Sequence, residues 1–289
     1  MNGILLLDKE QTWTSNDAVV KLKGILHQRR VGHAGTLDPM ATGLLVAFAG
    51  RATRAVSFAE AARKRYRAAL RLGTVTDTQD IWGTVLERHE AGITREELET
   101  VLARFTGEQL QTPPMYSAIR VDGKRLYDIA RKGGEVERKA RPITVHELKL
   151  VGREGEDWLL DVCCSKGTYV RTLCQELGEM LGCGGCMESL RRTRAGCYTL
   201  EHAHSIEALM EMTPEARNAL LLPADSLFPD QPALYLTEKQ TRRVLCGGEF
   251  SHAAPEGEYR FYGPDGAFLA LGRVEDGVAR TVKSFFEVN

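Results

Sequence analysis

Two runs of alternating residues constrain the fold of this chain most tightly. Tyr66, Ala68, Leu70 and Leu72 alternate with Arg67, Ala69 and Arg71, and Trp158 to Cys164 alternates in the same way. A period of two is that of a strand with one buried face. Helical spacings lie between and around these runs. Ser15 to Gln28 carries Ala18, Val19, Leu22, Ile25 and Leu26 as one apolar stripe, with Ser15 as the expected cap. Thr94-Arg-Glu-Glu97 is a capping box leading into Leu98, Val101, Leu102 and Phe105, with Gly107 as the stop. Val170, Leu173, Cys174, Leu177 and Leu181 follow Gly167 at helical spacing as far as Gly182. Strands and helices therefore mix without a strict βαβ repeat, which points to an α+β sheet rather than a doubly wound one.

The texture changes at Pro223 to Pro232, where three prolines and two acids fall within ten residues, the composition of a linker. A domain boundary is placed there, giving residues 1–232 and 233–289. Beyond it come a capped helix over Thr237 to Cys246 and a hairpin, Tyr259 to Tyr262 with Ala267 to Leu271, around Gly-Pro-Asp-Gly. This short-stranded end is expected to form a small β-barrel.

Among the 289 residues, 43% are hydrophobic and 27% charged, which excludes a disordered or collagenous chain. The early apolar run Ile4 to Leu7 ends at Asp8, too short for a signal peptide or a membrane span, so a cytoplasmic protein is expected. Seven cysteines fit reduced thiols. Cys183-Gly-Gly-Cys186 has metal-ligand spacing, but no second Cys-x-x-Cys or His pair completes a zinc set, so no metal is assigned. The net charge of −1 hides its distribution: residues 1–73 hold 12 basic and 5 acidic side chains, residues 74–119 only 3 against 8. Basic clusters at Arg51 to Gly73, at Arg120 to Pro142, and at Arg191, Arg192 and Arg194 could face an anionic ligand or simply cover solvated faces.

Gly32-His-Ala-Gly-Thr-Leu-Asp-Pro-Met-Ala-Thr-Gly43 packs three glycines, a histidine and Asp-Pro into twelve residues beside Arg29 and Arg30. Such glycines allow close backbone approach or positive φ. Local chemistry alone reads Asp38 as the cap of a helix with Pro39 in its first turn. The segment has neither the Lys-Ser/Thr of a Walker A loop nor the spacing of a Rossmann fingerprint, so no nucleotide cofactor is assigned.

This segment resembles the catalytic-aspartate motif of the TruB family, bacterial tRNA pseudouridine-55 synthases. Similar segments follow in the family's order: Lys64-Arg-Tyr66, Leu72 to Asp80, Pro113 to Gly123 with Tyr127, Ser165-Lys-Gly-Thr-Tyr-Val-Arg171, and Leu190-Arg-Arg-Thr193. The carboxyl-terminal segment resembles a PUA-type RNA-binding domain. The resemblance implies a central mixed, mainly antiparallel sheet flanked by helices, plus a PUA-like barrel. Two departures stand out. The family opens with Asp-Lys-Pro and a glycine two residues later, whereas Asp8-Lys9 is followed by Glu10, Gln11 and Thr12; and Arg120 stands where the family usually has lysine.

What the resemblance implies about function is specific. Uridine at position 55 in the tRNA T-loop is isomerised to pseudouridine, with Asp38 as the carboxylate that either attacks the sugar or assists an elimination. Tyr66 stacks on the flipped base and serves in proton transfer, and Arg171 pairs with Asp38. His33 supports the flipped loop, while Tyr169 and Leu190 line the uracil pocket. Lys124, Arg125, Arg131 and Lys132 belong to an RNA-gripping insertion at about 120–142, with Gly133 and Gly134 as hinges. The partner is tRNA through its T-arm, and a monomer without cofactor, membrane or obligatory protein partner is expected. Taken one at a time, Tyr66 also reads as a strand-core aromatic and Arg171 as a surface helix charge. The competing functions are a tRNA-folding module without essential catalysis and a guide-RNA-dependent synthase of the same superfamily.

Overall fold

A computed structural model describes residues 2–121 and 123–286 of the chain. Its larger sheet has nine strands. Seven form a continuous path: Gly3–Lys9, Thr42–Ala49, Gly185–Ala195, Lys64–Leu72, Asp157–Cys164, Arg141–Glu154 and Gly107–Gln111. Val31–Ala34 pairs with Thr42–Ala49, and Tyr198–Thr199 with Gly185–Ala195. Every pairing is antiparallel except one, where Arg191 lies opposite Thr42 and Arg192 opposite Gly43. The expected mixed, mainly antiparallel sheet is what forms, and Lys64–Leu72 lies inside it because both of its edges are paired.

Helices cover the sheet as their apolar stripes require. Val170–Met180 buries Val170, Leu173, Cys174 and Leu177, and Arg95–Arg104 buries Leu98 and Leu102 within the same core. The capping box of Thr94 and Glu97 forms as read. The first helix differs at its ends: it spans Ser15–Ile25, and Thr14 is the cap, in a box with Asp17. Ser15 is buried and used elsewhere, as described below.

A second, five-stranded sheet follows the order Ala233–Tyr235, Gly257–Tyr262, Phe268–Glu275, Val278–Ser284 and Phe250–Ser251. The helix Glu238–Leu245, capped by the box of Thr237 and Gln240, packs its Val244 into the core of this sheet. The small barrel expected at the carboxyl end forms as a curled, PUA-like half-barrel, its end strands Ala233–Tyr235 and Phe250–Ser251 not paired with each other. Pro223 to Pro232, however, is not a loose linker. Its Phe228 is 4% exposed and meets Phe58 at 5.3 Å, Phe285 at 6.1 Å and Phe268 at 6.3 Å between ring centroids. Leu271 of the second sheet and Phe285 just beyond its strand Val278–Ser284 share this cluster with Ile4, Leu44 and Phe48 of the first, so the two sheets bury apolar surface in common. Proline content marked the break in regular structure, but the buried aromatic fixes the segment in place.

Candidate active site

The candidate site forms where the loop between Val31–Ala34 and Thr42–Ala49 meets the amino end of the helix Val170–Met180. No helix follows Asp38. Pro39 and Met40 form a turn closed by the Ala41 amide donating to the Asp38 carbonyl at 3.0 Å, so the helix-cap reading fails. The carboxylate is left available to other partners. Arg171 Nε donates to Asp38 Oδ2 at 2.8 Å. The arginine side chain is 4% exposed while that of Asp38 is 38% exposed, so the pair presents its acid outward and keeps its base behind. Arg171 is therefore no surface charge.

The rest of the guanidinium is occupied too. Nη1 donates to the Thr78 carbonyl at 2.9 Å, and Nη2 to the Tyr116 carbonyl at 2.8 Å. A second carboxylate, Asp80 Oδ2, lies 3.7 Å from Nη1. Asp80 is itself held by the Thr78 hydroxyl at 2.8 Å and the Trp82 amide at 3.1 Å, and burial pushes its carboxyl up despite those bonds and Arg171. Between them, Gln79 takes a positive φ of 64° and its side chain accepts from the Thr172 hydroxyl at 2.7 Å. Arg171 is thus tied to three separate loops, and its direction toward Asp38 is fixed by bonds rather than by charge alone.

The Asp38 loop is held just as firmly. The buried Ser15 hydroxyl accepts from the Leu37 amide at 2.8 Å and donates to the Leu37 carbonyl at 3.1 Å, so the serine read as a helix cap is a staple for the residue before the aspartate. On the other side the Thr12 amide donates to the Pro39 carbonyl at 2.8 Å. Thr12 stands at the glycine position of the family's opening motif and has φ 73°, the left-handed conformation a glycine adopts freely and a β-branched residue resists. Lys9 underlies this turn, 1% exposed, with Nζ donating to the carbonyls of Glu10 at 2.8 Å and Trp13 at 2.7 Å. Burial draws its pKa down to about 8, with Arg192 adding to the fall and Asp38 opposing it.

Arg192 is the largest fully buried side chain among the described residues, and the sequence showed it as one of a basic cluster and within the family-like segment Leu190-Arg-Arg-Thr193, with no role of its own. Its Nε donates to the Leu44 carbonyl at 2.6 Å and its Nη2 to the Gly35 carbonyl at 2.9 Å. The glycines of the motif answer to this side chain and its backbone. A Cβ on Gly43 (φ 96°) would stand 2.4 Å from the Arg192 carbonyl oxygen, and one on Gly35 (φ 79°) would stand 3.3 Å from Nη1.

Tyr66 is half-buried on the strand Lys64–Leu72, opposite Arg192 in register; burial pushes its phenol up, and Arg192 beside it pulls the other way. Leu190, 8% exposed, lies on the neighbouring strand opposite Ala68. Tyr169 precedes the helix that carries Arg171, and the Gln111 side chain clamps it by accepting from its amide at 2.8 Å and donating to its carbonyl at 3.2 Å. His33 is partly buried on the strand Val31–Ala34, with its buried Nδ1 unpartnered; burial and Arg192 hold its pKa below the usual value.

Lys124, Arg125, Arg131 and Lys132 are not part of this cluster. They stand exposed on a hairpin, Arg120–Val121 with Lys124–Arg125, and at the end of the helix Leu126–Ala130. Arg125 and Arg131 lie over the Tyr127 ring at 5.6 and 5.4 Å. The remaining basic clusters are largely neutralised within the fold. Arg65 pairs with Asp161 at 2.6 Å and Glu147 at 2.8 Å, Arg71 with Asp157, and Arg191 with Asp8 at 2.6 Å. Lys64 is buried against the carbonyls of Glu60 and Ala62. Those clusters do not all face outward, contrary to the simplest expectation from their charge. Cys183 and Cys186 are buried free thiols, and no group of three or more His, Cys, Asp or Glu among the described residues is placed to hold a metal.

Two family models match the chain: TruB family pseudouridylate synthase (N terminal domain) over residues 23–170, and tRNA pseudouridylate synthase B C-terminal domain over residues 171–229. The tRNA pseudouridine synthase B of Aromatoleum aromaticum is 45% identical over 278 residues, covering 95% of this chain and 89% of that protein. That of Azoarcus sp. is 42% identical over 281 residues (97% and 93%), and that of Syntrophomonas wolfei 41% over 298 (99% and 99%). Among solved structures, a chain of an H/ACA RNP bound to a substrate RNA containing 2'-deoxyuridine superposes with a TM-score of 0.74 at 22% identity, covering 99% of this chain and 85% of that chain. A chain of an archaeal box H/ACA sRNP Nop10-Cbf5 complex gives 0.73 at 22% identity, covering 98% and 86%. At that identity the superpositions speak for the fold.

Proposed function

The chain belongs to the TruB family of pseudouridylate synthases, and from that premise we propose that it converts uridine to pseudouridine at position 55 in the T-loop of tRNA, with Asp38 as the catalytic carboxylate. The observation that carries the assignment is the Asp38–Arg171 pair: an accessible acid aimed by a buried arginine that three loops hold in place. The reaction breaks a C–N glycosidic bond, turns the uracil and rejoins it through carbon, so it needs a carboxylate at the sugar, to attack it or to assist an elimination, and a pocket that keeps the freed uracil from leaving. Asp38 supplies the first. Tyr66, Leu190 and Tyr169 supply the second, with Tyr66 stacked on the base and its phenol kept protonated by burial, ready to donate or return a proton. Reaching a T-loop base requires flipping it from its stack at a cost of a few kcal/mol. His33 supports the opened loop, and the exposed Lys124, Arg125, Arg131 and Lys132 hold phosphates.

The enzyme works as a monomer in the cytoplasm without an obligatory protein partner, residues 1–232 catalysing and residues 233–289 adding RNA contacts. Incubating the purified chain with an unmodified tRNA transcript tests this reading. Carbodiimide-dependent primer-extension stops are expected at position 55. Stops at another position would contradict the specificity, and their absence the activity.

A further inference from the structure

The loop that carries Asp38 poses a mechanical problem. Residues 35–41 belong to no strand or helix, yet the carboxylate at their centre must meet its target with sub-ångström tolerance. Ser15 and Thr12 tie the middle of the loop, at Leu37 and Pro39. Its two ends approach a single buried side chain. Arg192 Nη2 takes the Gly35 carbonyl where the loop leaves one strand, and Nε takes the Leu44 carbonyl just after it enters the next. The guanidinium's rigid fork suits this bridge, because two donors at fixed spacing set the separation of the two carbonyls. An ammonium has no such spacing. The same side chain lies opposite Tyr66 in register, and its charge is felt by Tyr66, His33, Lys9 and Lys64.

A buried arginine whose partners are two carbonyls and the Tyr66 phenol is expensive to hold in a fold: desolvating the charge costs several kcal/mol, and neutral acceptors recover only part. A leucine there would fill space more cheaply. The cost is intelligible if the bridge and the charge serve the site. We propose that Arg192 is a positioning residue for the reaction, spanning the two ends of the Asp38 loop and orienting Tyr66 across from it, so that carboxylate and phenol keep one fixed separation. Gly35 then answers to Arg192, because a side chain there would crowd the guanidinium, whereas Gly43 abuts the backbone of position 192 and would be needed beside any residue there. The inference rests on the activity assigned above, and its test has an arm that does not.

Full-length wild type, Arg192→Lys and Arg192→Gln are compared by hydrogen exchange without RNA, by tRNA binding on filters, and by single-turnover pseudouridine formation at saturating enzyme. In the lysine variant the Leu37 and Ala41 amides are expected to lose protection while those of Lys64–Leu72 keep theirs. The single-turnover rate should fall about a hundredfold, and tRNA affinity should stay within a small factor. The glutamine variant, which keeps one donor group and loses the charge, should be slower still. Unchanged protection at Leu37 and Ala41 would overturn the proposal, as would a rate loss no larger than the unfolded fraction. If the wild type makes no pseudouridine in tRNA, the activity assignment fails and the exchange arm still decides on the bridge. If neither variant folds, the wild type decides: Leu37 and Ala41 amides exchanging like free loop amides would refute a bridged loop.

Discussion

Thr12 shows how a single backbone angle reports a constraint. A β-branched residue at φ 73° costs about 1–2 kcal/mol relative to an unstrained conformation, and the turn tolerates it because the Thr12 amide holds Pro39, next to Asp38. Glycine relieves that strain but loosens the unfolded chain by about 0.4–1 kcal/mol. Thr12→Gly is therefore expected to be at least as stable as the wild type and about 1 kcal/mol more stable than Thr12→Ala, as read from urea denaturation midpoints. Equal stability of the two variants would mean that the angle carries no strain. At this scale the sequence was uneven as a guide. Asp38 and Arg171 were named through the family resemblance, since nothing in their local spacing joins residues so far apart. Arg192 and Ser15 were misjudged because burial is invisible in a charge count or a cap motif: one looked like part of a basic patch, the other like a helix start.

Helix ends and strand periods were far more legible than loops, because a capping box or a two-residue alternation is complete within a few positions. The Thr94 box and the alternation at Trp158 to Cys164 both appear as read. What the helix Val170–Met180 does besides carry Arg171 was not legible. Its Glu176 is half-buried, and burial pushes its carboxyl from 4.5 up to about 7, with Glu179 adding and a bond from Gln111 opposing. Between about pH 4.5 and 7 the folded chain keeps a proton that the unfolded chain has released, so this group's contribution is full below the lower value and is lost as pH rises through the upper one. Glu176→Gln imitates the protonated form. The melting temperature of the wild type should accordingly fall relative to that of the variant between pH 4.5 and 7.5. A constant difference would remove the shift.

For the molecule as a whole, the shared core is the main departure from what composition suggested. Pro223 to Pro232 reads as a tether, yet Phe228 joins both sheets. Cutting the chain after residue 232 removes Leu271, Phe268 and Phe285 from Phe228 and Phe58, at roughly 1.5–3 kcal/mol for each fully buried side chain lost. The truncated protein should melt well below the full chain and bind tRNA more weakly. The fraction that stays folded should still form pseudouridine at saturating RNA, since every residue assigned to the chemistry precedes the cut. Complete loss of single-turnover activity in folded truncated protein would place part of the active site in the second sheet.

The proposed reaction depends most on Asp38 as the reacting carboxylate, and Asp38→Asn tests that directly. The structure gives Asp38 no helix to cap, so the substitution removes charge and nucleophile while preserving shape. Single-turnover pseudouridine formation in a tRNA transcript should vanish in the asparagine variant, with tRNA affinity on filters unchanged within a small factor. Turnover close to wild type in that variant would remove Asp38 from the chemistry.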